Sequence, residues 1–140
     1  MEVPAYWGVA GQPISHSVTP KLFSIVGDVM GLVQAEQIFV EASGEEEFYS
    51  KVGTLDGDLW LSCTAPLKHS PHSRLGVQGP IGVHAINQLM RANGVWKGAS
   101  TDGTGFVSAC RHIGVEPSSS ILRMRGGGST ARSIAAAWSS

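Results

Sequence analysis

Cysteine is scarce in this chain: Cys63 and Cys110 are the two among 140 residues, far apart and in no Cys-x-x-Cys pattern. Two free thiols in a reducing compartment is the simpler reading, and a disulfide between them the lesser one. Charge is scarce too. Charged residues make up 15%, the net charge is -1 and no basic block occurs, which argues against nucleic acid as the main partner. Long hydrophobic runs are missing, since Gly or a charged residue interrupts each one, so no bilayer-crossing segment and no membrane partner are expected. The opening Met1-Glu2-Val3-Pro4 has neither a basic n-region nor an apolar h-region. No signal peptide is therefore read there, and a cytoplasmic location is expected. Internal repeats and low-complexity tracts are also absent.

What remains is enough for one domain with a real core, while two full domains would be a tight fit. Hydrophobic residues reach 42%, too many for extended disorder. Glycine is abundant at 18 residues, which implies many tight turns and places where backbone approaches a ligand.

Strands and helices alternate along the chain. Tyr6-Trp7-Gly8-Val9-Ala10 reads as a strand ending in Gly11-Gln12-Pro13. A helix is predicted from Thr19 and Pro20, with Leu22, Phe23, Val26, Val29 and Met30 at helical spacing and Gly31 as its stop. Residues 37–40 read as a second strand. Ser43 with Glu46 forms a capping-box pattern opening a short helix through Phe48, Tyr49 and Val52. Residues 59–61 make a third strand. A Pro-, His-, Ser- and Gly-rich loop occupies 69–82. Ala92-Asn93-Gly94 between two apolar runs is a hairpin signal. A helix is predicted over 104–112, closed by Gly114, then a linker at 117–120, a strand at 121–124 and a helix at 130–138. The expected fold is therefore α/β: a mostly parallel sheet with flanking helices and an antiparallel edge hairpin, followed by one further β-α unit.

Three polar strings stand out. Ser62-Cys63-Thr64-Ala65-Pro66-Leu67-Lys68 ends the third strand, at the edge where α/β proteins place ligands. A partly desolvated lysine there can act as acid or base, although most lysines simply sit on the surface. Gly98-Ala99-Ser100-Thr101-Asp102-Gly103 puts Asp102 before a helix, where capping is its ordinary use. A lysine beside a carboxylate in a pocket moves protons to or from a carbonyl or alcohol oxygen. Gly126-Gly127-Gly128-Ser129-Thr130-Ala131 has the strand–turn–helix context of a pyrophosphate-binding turn, without the full G-x-G-x-x-G spacing. Its plain alternative is a tight loop.

Ser17 and Thr19 place two hydroxyls at a helix N-terminus that favours an anion such as a carboxylate. Capping by Thr19, with Ser17 solvated, is the commoner outcome. In His69-Ser70-Pro71-His72, Pro71 breaks the helix that would align the two rings and no carboxylate or Cys is near, so no metal site is expected. Trp7, Trp60, Trp96 and Trp138 are scattered and read as packing residues.

Taken together, these strings resemble shikimate dehydrogenase. Residues 11–20, Gly11-Gln12-Pro13-Ile14-Ser15-His16-Ser17-Val18-Thr19-Pro20, resemble the family's opening G-x-P-I-x-H-S-x-S-P. The Lys68 string resembles N-V-T-x-P-x-K. Ala85-Ile86-Asn87-Gln88 resembles A-V-N-T, and residues 98–106 resemble G-x-N-T-D-G-x-G-F. Residues 126–132 resemble the G-A-G-G-T-A-R turn of the cofactor domain.

The resemblance implies a reversible, NADPH-dependent reduction of 3-dehydroshikimate to shikimate, within aromatic amino acid biosynthesis. Ser17 and Thr19 would hold the substrate carboxylate. Thr64, Asn87, Thr101 and Asp102 would bind the ring hydroxyls. Lys68, supported by Asp102, would pass the proton. Gly126, Gly128, Ser129 and Thr130 would hold NADP, which carries the hydride chemistry. The implied layout is a substrate-binding domain at 1–116 and the start of a truncated Rossmann-like NADP domain at 117–140.

Departures from the family pattern are specific. Ser62 and Ser100 replace two asparagines, and Ser cannot donate and accept at amide geometry. Gln88 replaces a threonine. Arg123 and Arg125 fall on a strand expected to be buried on both faces. With one β-α piece of the cofactor domain, residues from about Pro117 onward are expected to pack poorly, and the chain is expected to be a fragment. Two alternatives stand beside the dehydrogenase: a non-catalytic shikimate or quinate-binding module, and a dehydrogenase for a related cyclic hydroxy acid.

Overall fold

The computed structural model describes residues 3–69 and 72–140. Met1, Glu2, Ser70 and Pro71 lie outside the described residues, so the reading of the first two residues and of the middle of the His69-to-His72 string is not addressed by it.

A five-stranded sheet organises the molecule, in the order β2-β1-β3-β4-β5. Its strands are β1 (Tyr6–Gly11), β2 (Glu36–Glu41), β3 (Leu59–Cys63), β4 (Gln88–Ala92) and β5 (Val95–Ala99). β1 pairs in parallel with β2 and with β3. β4 runs antiparallel to β3, and β5 antiparallel to β4. The hairpin forms where the sequence placed it: Asn93 and Gly94 both have positive φ, 51° and 75°, as a tight primed turn requires. Among the described residues four α-helices, α1 (Thr19–Met30), α2 (Glu45–Val52), α3 (Asp102–His112) and α4 (Ser129–Trp138), connect and flank the strands.

Alternation decides which side chains face the core. In β3, Leu59, Leu61 and Cys63 are buried while Trp60 and Ser62 are half-buried. The buried set joins Ala10, Val40, Phe48, Val52, Leu67, Ile86 and Leu89 in one apolar cluster beneath α2 and the 64–86 segment. Burial pushes the Cys63 thiol up to about 12. Both cysteines are free.

The opposite face of the sheet carries α1. Phe23 stacks on Trp7 at 5.3 Å and tilts toward Trp60 at 6.3 Å, and the buried Gly27 lies against the Trp7 indole. α1 spans the residues that the spacing predicts, and it packs on the sheet through one stripe. Of its periodic apolar residues only Phe23 is partly buried; Leu22, Val26, Val29 and Met30 are exposed. A sheet face two aromatic rings deep leaves contact for only one stripe of the helix.

Two caps also differ. Thr19 is the first residue of α1, and it is Ser17 Oγ that accepts its N–H, at 3.2 Å. At α2, Glu47 rather than Glu46 closes the box, accepting from the N–H and Oγ of Ser43, both at 2.9 Å. Gly44 occupies the cap position, which moves the reciprocal carboxylate one residue on. Among the described residues no helix is long and apolar enough to cross a membrane.

Beyond the sheet, the chain departs from the reading at 121–124. No strand forms there, because a strand needs a neighbour to satisfy its amides and none is adjacent. Ile121, Arg123 and Arg125 are exposed, so the two arginines meet no buried face. The expectation that everything after Pro117 packs poorly is corrected for α4. That helix packs on α3: Phe106 meets Trp138 at 6.1 Å, and Ser129 and Ser133 are buried. The approach is so close that a Cβ on Gly103 would lie 2.0 Å from the Ser133 carbonyl oxygen.

Candidate active site

β1 and β3 run side by side in the same direction, so their C-terminal ends open on one edge of the sheet. The loops leaving them are laced together there. The Thr64 N–H donates to Ala10 O at 2.8 Å, and the Gln12 N–H to Ala65 O at 2.9 Å. Leu67 buries its side chain in the core and donates its N–H to Thr64 O. The chain thus turns tightly at the strand tip and releases Lys68 away from the core.

Lys68 Nζ lies 2.7 Å from Asp102 Oδ2. Both side chains are only 16% and 19% exposed, so the pair is partly shielded from water and its Coulomb attraction exceeds that of a surface pair. Asp102 opens α3, where the dipole favours a carboxylate. It does not cap that helix with its side chain. Its other oxygen accepts from Asn87 Nδ2 at 2.8 Å. Asn87 is buried and ties Asp102 to β4: Nδ2 also donates to Thr101 Oγ1 at 2.8 Å, and Oδ1 accepts the Thr101 N–H at 2.6 Å.

A third arm comes from α4. Thr130 Oγ1 donates to Asp102 Oδ2 at 2.9 Å and lies 3.4 Å from Lys68 Nζ. Next to it, Ser129 Oγ pairs with His69 Nδ1 at 3.0 Å. The glycine-rich turn therefore closes onto the lysine loop. Thr64, Lys68, His69, Gly128, Ser129 and Thr130 are among the residues lining a cavity of about 240 Å³ between them.

Lys68, Asn87, Thr101, Asp102 and Thr130 thus form one hydrogen-bonded group, and Thr64, Gly128 and Ser129 join it around the cavity. Ser17 and Thr19 bond each other at the start of α1 and do not line that cavity. Gly126 has a φ of 114° and leads into the turn without lining it. Ser100 pairs with Ser133 of α4 at 3.0 Å, while Ser62 and Gln88 pair with each other at 3.4 Å across β3 and β4. Ser62 and Ser100 are therefore each engaged in a side-chain hydrogen bond within the fold.

His69 is a site residue that the sequence reading does not include, since the sequence offers it only as a metal ligand. Its ring turns to Ser129, while the His72 ring is fully buried and packs on Phe48. The sequence reading makes Thr130 a nucleotide contact alone; its bond to Asp102 has no sequence signal, since it depends on α4 folding back across α3.

The class defined by fold and site is an α/β domain with a mixed sheet, whose strand tips present a lysine–aspartate pair to a glycine-rich turn. No family model matches the chain. Its curated homologues are nonetheless named shikimate dehydrogenase (NADP(+)). The enzyme of Xylella fastidiosa is 30% identical over 134 residues, 94% of this chain and 48% of its own length. Shikimate dehydrogenase from Aquifex aeolicus shares the fold with a TM-score of 0.72 at 22% identity, covering 96% of this chain and 51% of that one. The Thermus thermophilus enzyme, solved in complex with NADP(H) and shikimate, gives 0.68 at 20% identity, with 96% and 51% covered. The chain spans about half the length of the curated relatives it matches.

Proposed function

We propose that this chain carries the substrate-binding part, residues 1–116, of a shikimate dehydrogenase, together with the opening of its NADP-binding domain at 117–140. The reaction is the reversible reduction of 3-dehydroshikimate to shikimate in the cytoplasm. The observation that carries this reading is the 2.7 Å pair of Lys68 and Asp102, brought together from loops 34 residues apart at the strand-tip edge.

The residues present fit a nucleotide at the turn. A Cβ at Gly127 or Gly128 would meet nothing within 4 Å, so the turn is open on that side, at the start of a ten-residue helix. The hydroxyls of Ser129 and Thr130 are engaged with His69 and Asp102, which leaves backbone as the means of holding a pyrophosphate. When bound, NADPH supplies the hydride to the ketone carbon.

Lys68 supplies the proton. Its ammonium donates to the carbonyl oxygen as negative charge develops there, leaving a neutral amine that solvent reprotonates. In the oxidative direction the amine takes the hydroxyl proton back. Asp102 holds the ammonium in place and, with Thr64, Asn87 and Thr101, supplies polar partners for ring hydroxyls, whose burial without partners would be costly. Ser17 and Thr19 hold the carboxylate at the α1 N-terminus.

Calorimetry with shikimate, quinate and NADP tests this. The chain should bind shikimate, and Lys68→Met should weaken that binding about tenfold or more, the loss of about one charge-assisted hydrogen bond. Binding of the acid with indifference to NADP would favour a non-catalytic module. Tighter binding of quinate would favour the related hydroxy acid. No binding of either acid would overturn the proposal.

A further inference from the structure

We propose that His72 is a positioning residue for Lys68: its buried ring donates Nε2–H to the Leu67 carbonyl and so fixes the peptide from which the lysine departs. The role of Lys68 rests on the function proposed above; the hydrogen bond and its effect on the loop do not.

The His72 side chain is fully buried. Its ring lies 5.5 Å from that of Phe48 and 6.4 Å from that of Tyr49. Nε2 is 3.0 Å from Leu67 O. A carbonyl oxygen can only accept, so Nε2 carries the hydrogen and the neutral ring leaves Nδ1 bare. Nδ1 is buried with no partner among the described residues. A buried ring with one unpaired nitrogen is costly, and a phenylalanine would fill similar space without that cost. Packing alone therefore does not account for histidine at this position.

The carbonyl it holds does account for it. Leu67 O and the Lys68 N–H belong to one planar peptide, so holding the oxygen orients the backbone at the start of Lys68. Leu67 is already fixed by its buried side chain and by its N–H bond to Thr64 O. The ring bond adds the third point of attachment. His72 is itself anchored, because its own carbonyl accepts the N–H groups of Leu75 and Val77, at 2.9 and 3.3 Å. Core, ring, peptide and ammonium form one chain of contacts ending 2.7 Å from Asp102.

The test uses the whole chain. In the unaltered protein, ring ¹⁵N shifts should report the Nε2–H tautomer of His72, and the Lys68 ammonium should give a slowly exchanging ¹H–¹⁵N signal. His72→Phe keeps the ring but removes the donor, and should abolish the ammonium signal while the sheet amides stay dispersed. His72→Gln places an amide nitrogen near the Nε2 position and should restore the signal; His72→Asn, one bond shorter, should not. Shikimate affinity should follow the same order, with about tenfold weaker binding in His72→Phe. An Nδ1–H tautomer would overturn the proposal. So would an unchanged ammonium signal in folded His72→Phe, or, if that variant does not fold, equal signals in the Gln and Asn variants. Loss of shikimate binding in every form, with the NMR pattern intact, would sink the functional reading and leave the positioning role standing.

Discussion

Single side chains govern how this protein responds to acid. Burial pushes the His72 ring below the usual histidine value of 6.5, because the charged form is poorly solvated there. The unfolded chain therefore binds that proton more readily than the folded one. Stability from this residue is complete above pH 6.5 and falls as pH drops below it. Glu47 acts lower. The Lys51 ammonium and the Ser43 groups hold its carboxylate at about 2, so its contribution is present above the usual glutamate value of 4.5 and lost as pH falls from 4.5 toward 2. The urea midpoint should thus be flat around pH 7, decline as pH falls below 6.5, and decline again below 4.5. His72→Gln should remove the first decline and keep the second. A first decline that survives in this variant would place the acid-labile proton elsewhere.

At the scale of elements, the contact between α3 and α4 decides whether the site is assembled. It depends on the missing side chain at position 103. Alanine normally favours a helix over glycine by about 1 kcal/mol. Here the added Cβ meets the Ser133 carbonyl at 2.0 Å, and backbone on both sides cannot yield as a flexible side chain could. Overpacking of that kind costs about 1–3 kcal/mol, so the clash outweighs the helix preference. Gly103→Ala should drive α4 off α3 and break the bonds of Thr130 to Asp102 and of Ser129 to His69. The amides of α4 should then exchange faster while those of β1 and β3 stay protected, with Trp138 emission shifting to the red. Unchanged α4 protection would show that the contact relaxes.

For the molecule as a whole, the question is where the proposed substrate domain stops. Between the short turn at Pro117–Ser119 and α4, residues 121–127 have no regular structure, and Arg123 and Arg125 are exposed among them. Limited trypsin digestion should cut first after Arg123 or Arg125 and leave a resistant fragment that keeps the sheet. Mass spectrometry of the first product reads this directly. First cuts after Lys97 or Arg91 would mean that the hairpin is the weaker part and that the proposed boundary is misplaced.

Local signals in the sequence were enough for much of this. The apolar run of β3, the Asn93-Gly94 turn and the Gly31 stop are short-range patterns, set by φ preferences and hydrophobicity within a few residues. The resemblance of the polar strings to a known family singled out Lys68 and Asp102, the pair at the centre of the candidate site. Long-range packing decided the rest. Whether 121–124 became a strand depended on a neighbouring strand to receive its amides. How much of the apolar face of α1 was covered depended on the sheet beneath it. Whether Thr130 faced a nucleotide or Asp102 depended on α4 crossing Gly103. A sequence pattern specifies what each segment can bury; only the assembled chain specifies what is there to bury it against.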